Sequence, residues 1–323
     1  YFRIGGAYHL GMEVLGKTGS VELAEQAIAS NYEKLPDWVS ADPDQTRKWF
    51  YECVTCLCLF RGWVAYYGGV SDSLDTVEIL ESEEVFEVPI RNPETGAVST
   101  RYVRRGKKDQ RLAIRDGRKA LKEFKTTSKD ISPASDYWWH KKIDPQPSGY
   151  FVACREKRQE IHTVIYDVAR KPTIRPCQVA ELDADGVKMV VGADGLRVPL
   201  KSGKGWKQSA GDGERLLSRP MTNQEWADKL MKDIQSRPEW YYQRGEVTRT
   251  DSDLLEYETN LWHQQKQIAG AEVNGRWYQN TQSCIGMGGA TCEYFRICTQ
   301  RLDVTGEPPA GFVRVADPHV ELV

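Results

Sequence analysis

The segment from Arg101 to Lys125 constrains the fold most, because it predicts two strands joined by a tight turn. Asp116-Gly117 lies between these strands, and an Asp-Gly pair in that position is a strong sequence signal for a β-hairpin. From Arg101 to Lys129 the chain carries twelve Lys and Arg residues against three acidic ones. The sequence therefore predicts a hairpin with a large local excess of positive charge.

The rest of the chain alternates between helical and strand-like patterns. Apolar side chains recur at three- and four-residue spacing between Asp44 and Tyr67, which predicts a helix with one buried face. Ser20 restarts a first helix after a break at Gly16–Gly19, and Asp144 precedes a proline that suits a first helical turn. The predicted helices are 9–35 with that break, 44–67, 144–158, 222–236 and 250–270. The predicted strands outside the hairpin are 85–90 and 162–168.

These elements predict an α/β fold. The length of 323 residues allows two average domains or one larger α/β domain with insertions. We expect a core over residues 1–180, an insertion of hairpins or mobile loops over 181–221, and a helical C-terminal region over 222–323 that packs on the core as one domain.

Composition narrows the setting of the protein. The net charge is −2, and no run of about 18 apolar residues suggests a membrane span. Eight cysteines without the spacing of a small disulfide scaffold fit reduced thiols and a cytoplasmic location. Cys53-x-x-Cys56 could be half of a metal site, but two buried cysteines on a packed helix are the favoured interpretation.

Asp109, Glu123 and Lys125 carry the chemistry that the hairpin suggests. Hard cations such as Mg²⁺ prefer oxygen ligands, which the two carboxylates and the Phe124 carbonyl can supply. Lys125 follows Glu123 by two residues in a strand, so both side chains lie on one face. An ammonium placed there can orient an attacking water and offset negative charge in phosphodiester hydrolysis.

The hairpin register tests this interpretation. A two-residue loop at Asp116-Gly117 would pair Asp109 with Phe124, on the face away from Glu123. A three-residue loop, or one bulge, would place Asp109 opposite Lys125 on the common face. We therefore expect such an irregularity in the hairpin.

Two further pairs accompany the hairpin. Gln146 and Tyr150 are four residues apart on a predicted helix and therefore neighbours on one face, where they can bind a phosphate or orient Lys125. His9 and Glu13 also share a helical face, and an imidazole near two carboxylates suits Mn²⁺ as well as Mg²⁺. Each pair alone is common in ordinary helices, where such residues only pack or form caps.

The positive charge of the hairpin has two interpretations. The first is that the cations dock an anionic nucleic-acid backbone near the acids. The second is a solvated face balanced by the acidic stretch Glu78–Glu87. The candidate DNA contacts are Arg104, Arg105, Lys107 and Lys108, with Gln146 and Tyr150.

Taken in order, these motifs resemble the RecB-like branch of the PD-(D/E)XK nuclease superfamily. That branch includes the RecB and AddB nuclease domains, CRISPR-associated adaptation nucleases and phage exonuclease-like proteins. The resemblance covers about residues 1–172, and Gln110 departs from it because small residues commonly follow the aspartate. It implies a restriction-endonuclease-like core, in which helices flank a central mixed β-sheet, with helical N- and C-terminal additions.

The resemblance also implies roles for individual residues. Asp109, Glu123 and His9 would bind Mg²⁺ or Mn²⁺, and Lys125 would be the catalytic lysine. Gln146 and Tyr150 fall on the motif that is diagnostic of the branch.

A group of cysteines near the C-terminus extends the resemblance. Cys284, Cys292 and Cys298 resemble a triplet that holds a 4Fe–4S cluster in several relatives, and such a cluster needs four thiolates. The fourth cysteine is expected upstream of His9, outside this chain segment. Three unrelated thiols or an adventitious zinc site remain the alternative.

The leading hypothesis is a metal-dependent deoxyribonuclease acting on DNA ends or single strands in phage or bacterial recombination and repair. Its location would be the cytoplasm of a bacterium or a phage-infected host, and its partners DNA, a recombination protein or a second copy. The alternative is a non-catalytic DNA-binding or recombination-partner module on a nuclease-like fold. A thiol- or metal-using enzyme built around Cys53 and Cys56 ranks last.

Overall fold

The computed structural model describes residues 3–68, 76–278, 280–285 and 291–316. The chain divides into two compact units. The first contains residues up to 84 with 108–147 and 159–248, and the second contains 85–107, 148–158 and residues from 249 onward. The predicted domain division at residues 180 and 221 stays a prediction, because compactness does not measure independent folding.

Within the described residues, a central sheet of five strands confirms the α/β prediction. In chain order its strands are β1 Thr76–Arg91, β2 Val98–Ile114, β3 Lys119–Thr127, β4 Thr163–Arg170 and β9 Tyr242–Val247. Their spatial order is β1-β2-β3-β4-β9. The β2–β3 and β4–β9 pairs are antiparallel and the β3–β4 pair is parallel, so the sheet is mixed.

Residues 178–220 form short antiparallel pairings, in keeping with the hairpins predicted for 181–221. Four short strands pair there in two small antiparallel sheets, β5 with β8 and β6 with β7. These strands are β5 Gln178–Ala180, β6 Val190–Val191, β7 Arg215–Leu216 and β8 Ser218–Pro220.

The predicted long helices are present; four of them agree with the expected ends to within four residues, whereas the first stretch, predicted at 9–35, begins at Arg3 and ends at Ser30. Ser20 caps α2 by accepting a hydrogen bond from the Leu23 amide at 3.2 Å, which confirms the break and restart of the first helical stretch. The helices are α1 Arg3–Thr18, α2 Val21–Ser30, α3 Asp37–Ser40, α4 Pro43–Tyr67, α5 Asp136–Ile143, α6 Pro145–Glu156, α7 Asn223–Ser236, α8 Pro238–Tyr241, α9 Asp251–Asn274 and α10 Phe295–Gln300. None of the helices in the described ranges combines the length and the apolar character that crossing a membrane requires.

The core of the first unit lies between the sheet and helices α1, α2, α4 and α7. Cys56 and Cys58 of α4 are buried in it. Burial raises the pKa of the Cys58 thiol to about 11 and raises that of Cys56 further. Burial also raises the pKa of the Cys53 thiol. Protonated thiols are poor nucleophiles and metal ligands, so the structure favours packed cysteines over a thiol site.

A buried ion pair joins β4 to the edge strand β9. Asp167 is fully buried and accepts hydrogen bonds from Trp63 Nε1 at 2.9 Å and from Arg244 Nε at 2.8 Å. The Arg244 guanidinium also lies 3.6 Å from the centroid of the Tyr67 ring. Hydrogen bonds on both carboxylate oxygens offset the cost of burying the charge.

The second unit is held by contacts around α9, the longest helix within it. Thr250 and Asp253 form a capping box at the start of α9. Farther along, Glu258 pairs with Arg155 at 2.5 Å, and Glu272 pairs with Arg101 at 2.7 Å.

Candidate functional site

The β2–β3 turn sets the geometry of the acidic residues. The Ile114 amide donates to the Arg118 carbonyl at 3.0 Å, which closes a loop of three residues, 115–117. Gly117 adopts a left-handed backbone with φ of 90°, and Asp116 accepts a hydrogen bond from the Arg118 amide at 2.9 Å. The predicted three-residue loop is therefore confirmed.

The exact pairing differs from the prediction. The register pairs Gln110 with Lys122, and its continuation by one residue sets Asp109 opposite Glu123 rather than opposite Lys125. The reason is that the loop begins at residue 115, not 116. Asp109, Glu123 and Lys125 still share one face, because side chains alternate along a strand.

Asp109 is a buried carboxylate held against β3. It is 8% exposed, and its Oδ2 accepts a hydrogen bond from the Phe124 amide at 2.8 Å. Burial and the charge of Glu123 raise the pKa of Asp109 well above its ordinary value, against the opposing effect of the Phe124 amide. A nearby positive charge would therefore stabilise the ionised form.

Glu123 lies at the centre of a polar cluster. Only 2% of the residue is exposed, and its Oε1 accepts hydrogen bonds from Lys125 Nζ at 2.5 Å and from Gln146 Nε2 at 2.8 Å. Burial lowers the pKa of Lys125, but the charges of Glu123 and Asp109 outweigh that effect and the net pKa is raised. Lys125 is therefore a cation at neutral pH.

Asp144, predicted from sequence only as a helix cap, positions Gln146. Its Oδ1 accepts a hydrogen bond from the Gln146 amide at 3.0 Å, while Oδ2 accepts from Lys141 at 2.8 Å and from the Tyr166 hydroxyl at 3.2 Å. Burial raises the pKa of Asp144, but the bonds from Lys141 and Gln146 lower it more. The Asp-Pro-Gln order was the available signal, since it places the cap two residues before the amide.

His9 reaches the acids from α1. Its Nδ1 lies 3.6 Å from Asp109 Oδ2, and its ring meets the edge of the Phe124 ring at a centroid distance of 6.4 Å. Helix α1 approaches β3 closely at Gly5, where a Cβ atom would lie 3.2 Å from Thr126 Oγ1. Glu13 pairs instead with Lys17 on the same helix.

Tyr150 belongs to the second unit. It is 4% exposed, and its hydroxyl donates a hydrogen bond to the Lys107 carbonyl at 3.1 Å. Its ring packs edge-on against Phe86. The phosphate-binding role predicted for Tyr150 stays a prediction.

Lys108 is buried and paired with acidic and amide side chains. Its side chain is 1% exposed and its ammonium contacts the Glu84 carboxylate and, at 2.7 Å, Gln159 Oε1. Arg111 pairs with Glu81 at 2.9 Å in the same region. Burial beside acidic side chains disfavours contact with a nucleic-acid backbone, and the DNA-contact role of Lys108 stays a prediction.

The cations of the second unit are also partly matched. Arg105 pairs with Glu87 at 3.0 Å, Arg104 is half-buried and Lys107 is half-buried. The interpretation in which the acidic stretch Glu78–Glu87 balances the hairpin therefore holds for Arg105 and Lys108. The other candidate contacts stay predictions.

Carboxylate and imidazole donors of the kind that bind Mg²⁺ or Mn²⁺ meet at this site. Two buried carboxylates raise each other's energy there, and a divalent cation would relieve that repulsion. Across the described ranges, however, no three His, Cys, Asp or Glu side chains lie close enough to form a metal-binding group. The donor chemistry of His9, Asp109 and Glu123 fits such an ion, while Glu123 Oε1 accepts hydrogen bonds from Lys125 and Gln146.

The three C-terminal cysteines lie in the second unit as free thiols. The Cys292 amide donates to the Cys284 carbonyl at 2.9 Å, so the backbones of these two residues are neighbours. Cys298 lies in α10 and is exposed. The iron–sulfur interpretation stays a prediction.

No model of a known protein family and no curated protein matches this chain. Among solved structures, that of SSO0001 is similar at 14% sequence identity, covering 72% of this chain and 74% of that chain. The TM-score of this match is 0.23, which is too low to indicate a shared fold.

Proposed function

We propose that the protein is a metal-dependent deoxyribonuclease with a restriction-endonuclease-like core of the RecB-like branch. The observation that carries this proposal is the common face of Asp109, Glu123 and Lys125, with Gln146 bonded to Glu123 and His9 beside Asp109. Two buried carboxylates beside a lysine form a costly arrangement that packing alone does not require.

Each residue has a chemical role in this proposal. Asp109, Glu123, His9 and the Phe124 carbonyl would hold Mg²⁺ or Mn²⁺, which when bound polarises the phosphate and lowers the pKa of water. Lys125, cationic at neutral pH, would orient the attacking water and offset charge on the phosphate. Gln146, fixed through its amide by Asp144, would hold the Glu123 carboxylate in position.

The setting follows from the same proposal. The substrate would be DNA ends or single strands in phage or bacterial recombination and repair, in the cytoplasm, with a recombination protein or a second copy as partner. A 4Fe–4S cluster on Cys284, Cys292 and Cys298 would need a fourth thiolate. Iron analysis of anaerobically purified protein tests that part separately.

A cleavage assay tests the proposed activity. End-labelled linear, circular and single-stranded DNA are incubated with Mg²⁺ or Mn²⁺ and with wild type, Lys125→Ala or Lys119→Ala. Lys119 is a matched control, because it lies on the same strand but pairs with Glu160 at the surface. We expect similar cleavage by wild type and Lys119→Ala, and cleavage that is about 10²–10³-fold slower by Lys125→Ala. If wild type binds DNA but cuts it with neither metal, the proposal is wrong.

A second candidate is a non-catalytic DNA-binding or recombination-partner module. The observation that favours it is that Lys125 and Gln146 both donate to Glu123 Oε1, which already engages this carboxylate oxygen within the protein. Calorimetry with Mn²⁺ separates the two candidates. The module predicts no Mn²⁺ binding that depends on Asp109, whereas the nuclease predicts binding that Asp109→Ala removes.

A further inference from the structure

A cavity of the first unit lies between α4 and the chain that leads from β4 to β5. Its volume is about 450 Å³, which falls within the range of roughly 300–1,000 Å³ that small-molecule sites occupy. Helix α4 contributes Asp44, Arg47, Lys48 and Tyr51, which are three or four residues apart and therefore share one helical face. Residues 175–178 form another part of the wall. All of these residues belong to the first unit.

Hydrogen bonds hold the parts of this wall together. The Tyr51 hydroxyl donates to the Met221 carbonyl, and the Met221 amide donates to the Cys177 carbonyl at 3.2 Å. Lys229 Nζ donates to the Arg175 carbonyl at 3.2 Å and lies 3.4 Å from Cys177 Sγ. The backbone of the wall is therefore fixed by bonds within the protein, so a ligand need not order it.

The lining of the cavity carries an excess of positive charge. Of the described residues that line it, Arg47, Lys48 and Arg175 are cationic and Asp44 is acidic. Arg47 bonds to Asp44 at 2.8 Å, which neutralises that pair. The side chains of Lys48 and Arg175 are exposed, and neither forms an ion pair or hydrogen bond with another residue in the described parts of the chain. Two cations at one cavity are therefore available to a ligand.

The polar groups of the lining select for a ligand that accepts hydrogen bonds. Guanidinium and ammonium groups have donors and no acceptors, and the Tyr51 hydroxyl already donates to Met221. Arginine binds phosphate oxygens in a bidentate geometry, and lysine binds phosphate as a point charge. A phosphate monoester carries a charge of about −1.5 to −2 at pH 7, which matches the two available cations. A single carboxylate carries half of that charge.

We propose that this cavity binds a small phosphorylated molecule, with Lys48 and Arg175 holding its phosphate. Inorganic diphosphate and a nucleoside monophosphate share this chemistry, and the experiment separates them. Two cations match one phosphate group, whereas a single nucleic-acid strand contacts about 4–16 nucleotides at one binding domain. The site goes beyond the proposed nuclease function and does not depend on it, because none of the described lining residues belongs to the candidate site.

Cys177 provides a direct measurement of binding, because its exposed thiol lines the cavity. The full chain is alkylated with N-ethylmaleimide in EDTA, with inorganic diphosphate, with thymidine monophosphate, or with sodium chloride at equal ionic strength. Mass spectrometry follows the rate at Cys177 and, as an internal control, at the exposed thiol of Cys298. A ligand at about ten times its Kd leaves about one tenth of the sites free. We therefore expect at least one of the two phosphates to slow alkylation of Cys177 about tenfold, with no change at Cys298 and none in sodium chloride.

Variants identify the groups that hold the phosphate. Lys48→Gln and Arg175→Gln are compared with Lys34→Gln by calorimetry, using the compound that protects Cys177. Lys34 is a matched control, because it is also exposed and does not line the cavity. We expect each of the first two variants to weaken binding about tenfold, as loss of a hydrogen bond between charged groups does. Lys34→Gln should bind as wild type does.

Several results would overturn the proposed site. One is unchanged alkylation of Cys177 with both phosphates, and another is an equal slowing at Cys298. Wild-type affinity in both Lys48→Gln and Arg175→Gln, or an equal loss in Lys34→Gln, would show that these cations do not hold the phosphate. Protection of Cys177 only by an oligothymidylate of about 12 nucleotides would assign the cavity to a nucleic-acid strand instead. Failure of the nuclease proposal would be distinct, since alkylation in EDTA involves no cleavage.

Discussion

Replacing Lys125 by alanine removes the cation from a carboxylate that cannot reach solvent. Glu123 Oε1 accepts hydrogen bonds from Lys125 Nζ at 2.5 Å and Gln146 Nε2 at 2.8 Å, and the Glu123 side chain is 3% exposed. The charge left behind is then stabilised by fewer donors. We therefore expect Lys125→Ala to lower the stability of the protein as well as its activity.

The size of the effect follows from burial. Removing one partner of a fully buried ion pair costs roughly 3–5 kcal/mol. The Lys125 side chain is 28% exposed and Gln146 keeps its bond to Glu123, so we expect about 2 kcal/mol here. Cleavage should fall by about 10²–10³-fold, which is typical when one group that stabilises transition-state charge is removed.

The double variant Lys125→Met with Glu123→Gln separates the two effects. It removes both charges, and the amide oxygen introduced at position 123 can still accept the hydrogen bond from Gln146. Its free energy of unfolding should therefore return to within about 1 kcal/mol of the wild-type value, while activity stays lost. Urea unfolding and DNA cleavage are measured on the same preparations. If Lys125→Ala unfolds at the same urea concentration as wild type, Lys125 is not the main group that stabilises the Glu123 carboxylate. If it still cleaves DNA at the wild-type rate, the catalytic role is refuted.

Three more predictions concern charges outside the candidate site. Arg244→Met leaves the buried Asp167 carboxylate without its cation and should lower the free energy of unfolding in urea by about 3 kcal/mol. Adding Asp167→Leu should recover part of that loss. An absence of recovery would contradict the pairing of Arg244 with Asp167. Hydrogen bonds from Arg219 and Thr222 lower the pKa of Glu225 from 4.5 to about 2, so its stabilising effect is full above 4.5 and lost as pH falls through about 2. The melting temperature of Glu225→Gln should therefore lie below that of wild type at pH 7 and meet it near pH 2; a gap that persists at low pH would rule this out. Lys108→Met should lower stability but leave the salt dependence of DNA binding unchanged, because the ammonium is enclosed by Glu84 and Gln159; a shallower salt slope would identify Lys108 as a DNA contact.

The sequence predicted those parts of the site that depend on local order. Strand alternation places Glu123 and Lys125 on one face, and the Asp-Gly turn pins the hairpin that carries them. Asp144 was predictable as a cap because Asp before Pro is a local signal. Asp109 was predicted on the correct face but opposite Lys125 rather than Glu123. From sequence a three-residue loop could begin at residue 115 or at residue 116, and that choice sets the pairing partner.

What the sequence did not predict depends on tertiary contacts. Strand β9 contains Arg244, Gly245 and Glu246, which argue against a buried strand by composition alone. In the folded chain Arg244 donates to the buried Asp167, and the Trp138 ring lies where a side chain at position 245 would be. The burial of Lys108 likewise depends on Glu84, 24 residues earlier, which no local pattern reveals.

The three-residue turn at 115–117 sets the register of the hairpin, although it contains none of the proposed reacting groups. Asp116 holds it by accepting from the Arg118 amide, and Gly117 completes it in a left-handed backbone. A substitution that favoured the two-residue alternative would slide β2 by one position and turn Asp109 to the opposite face. A homologue with such a turn would retain every motif residue and yet lose the arrangement of the site. A search for the motif residues alone would not detect this loss, whereas the residues of the turn would reveal it.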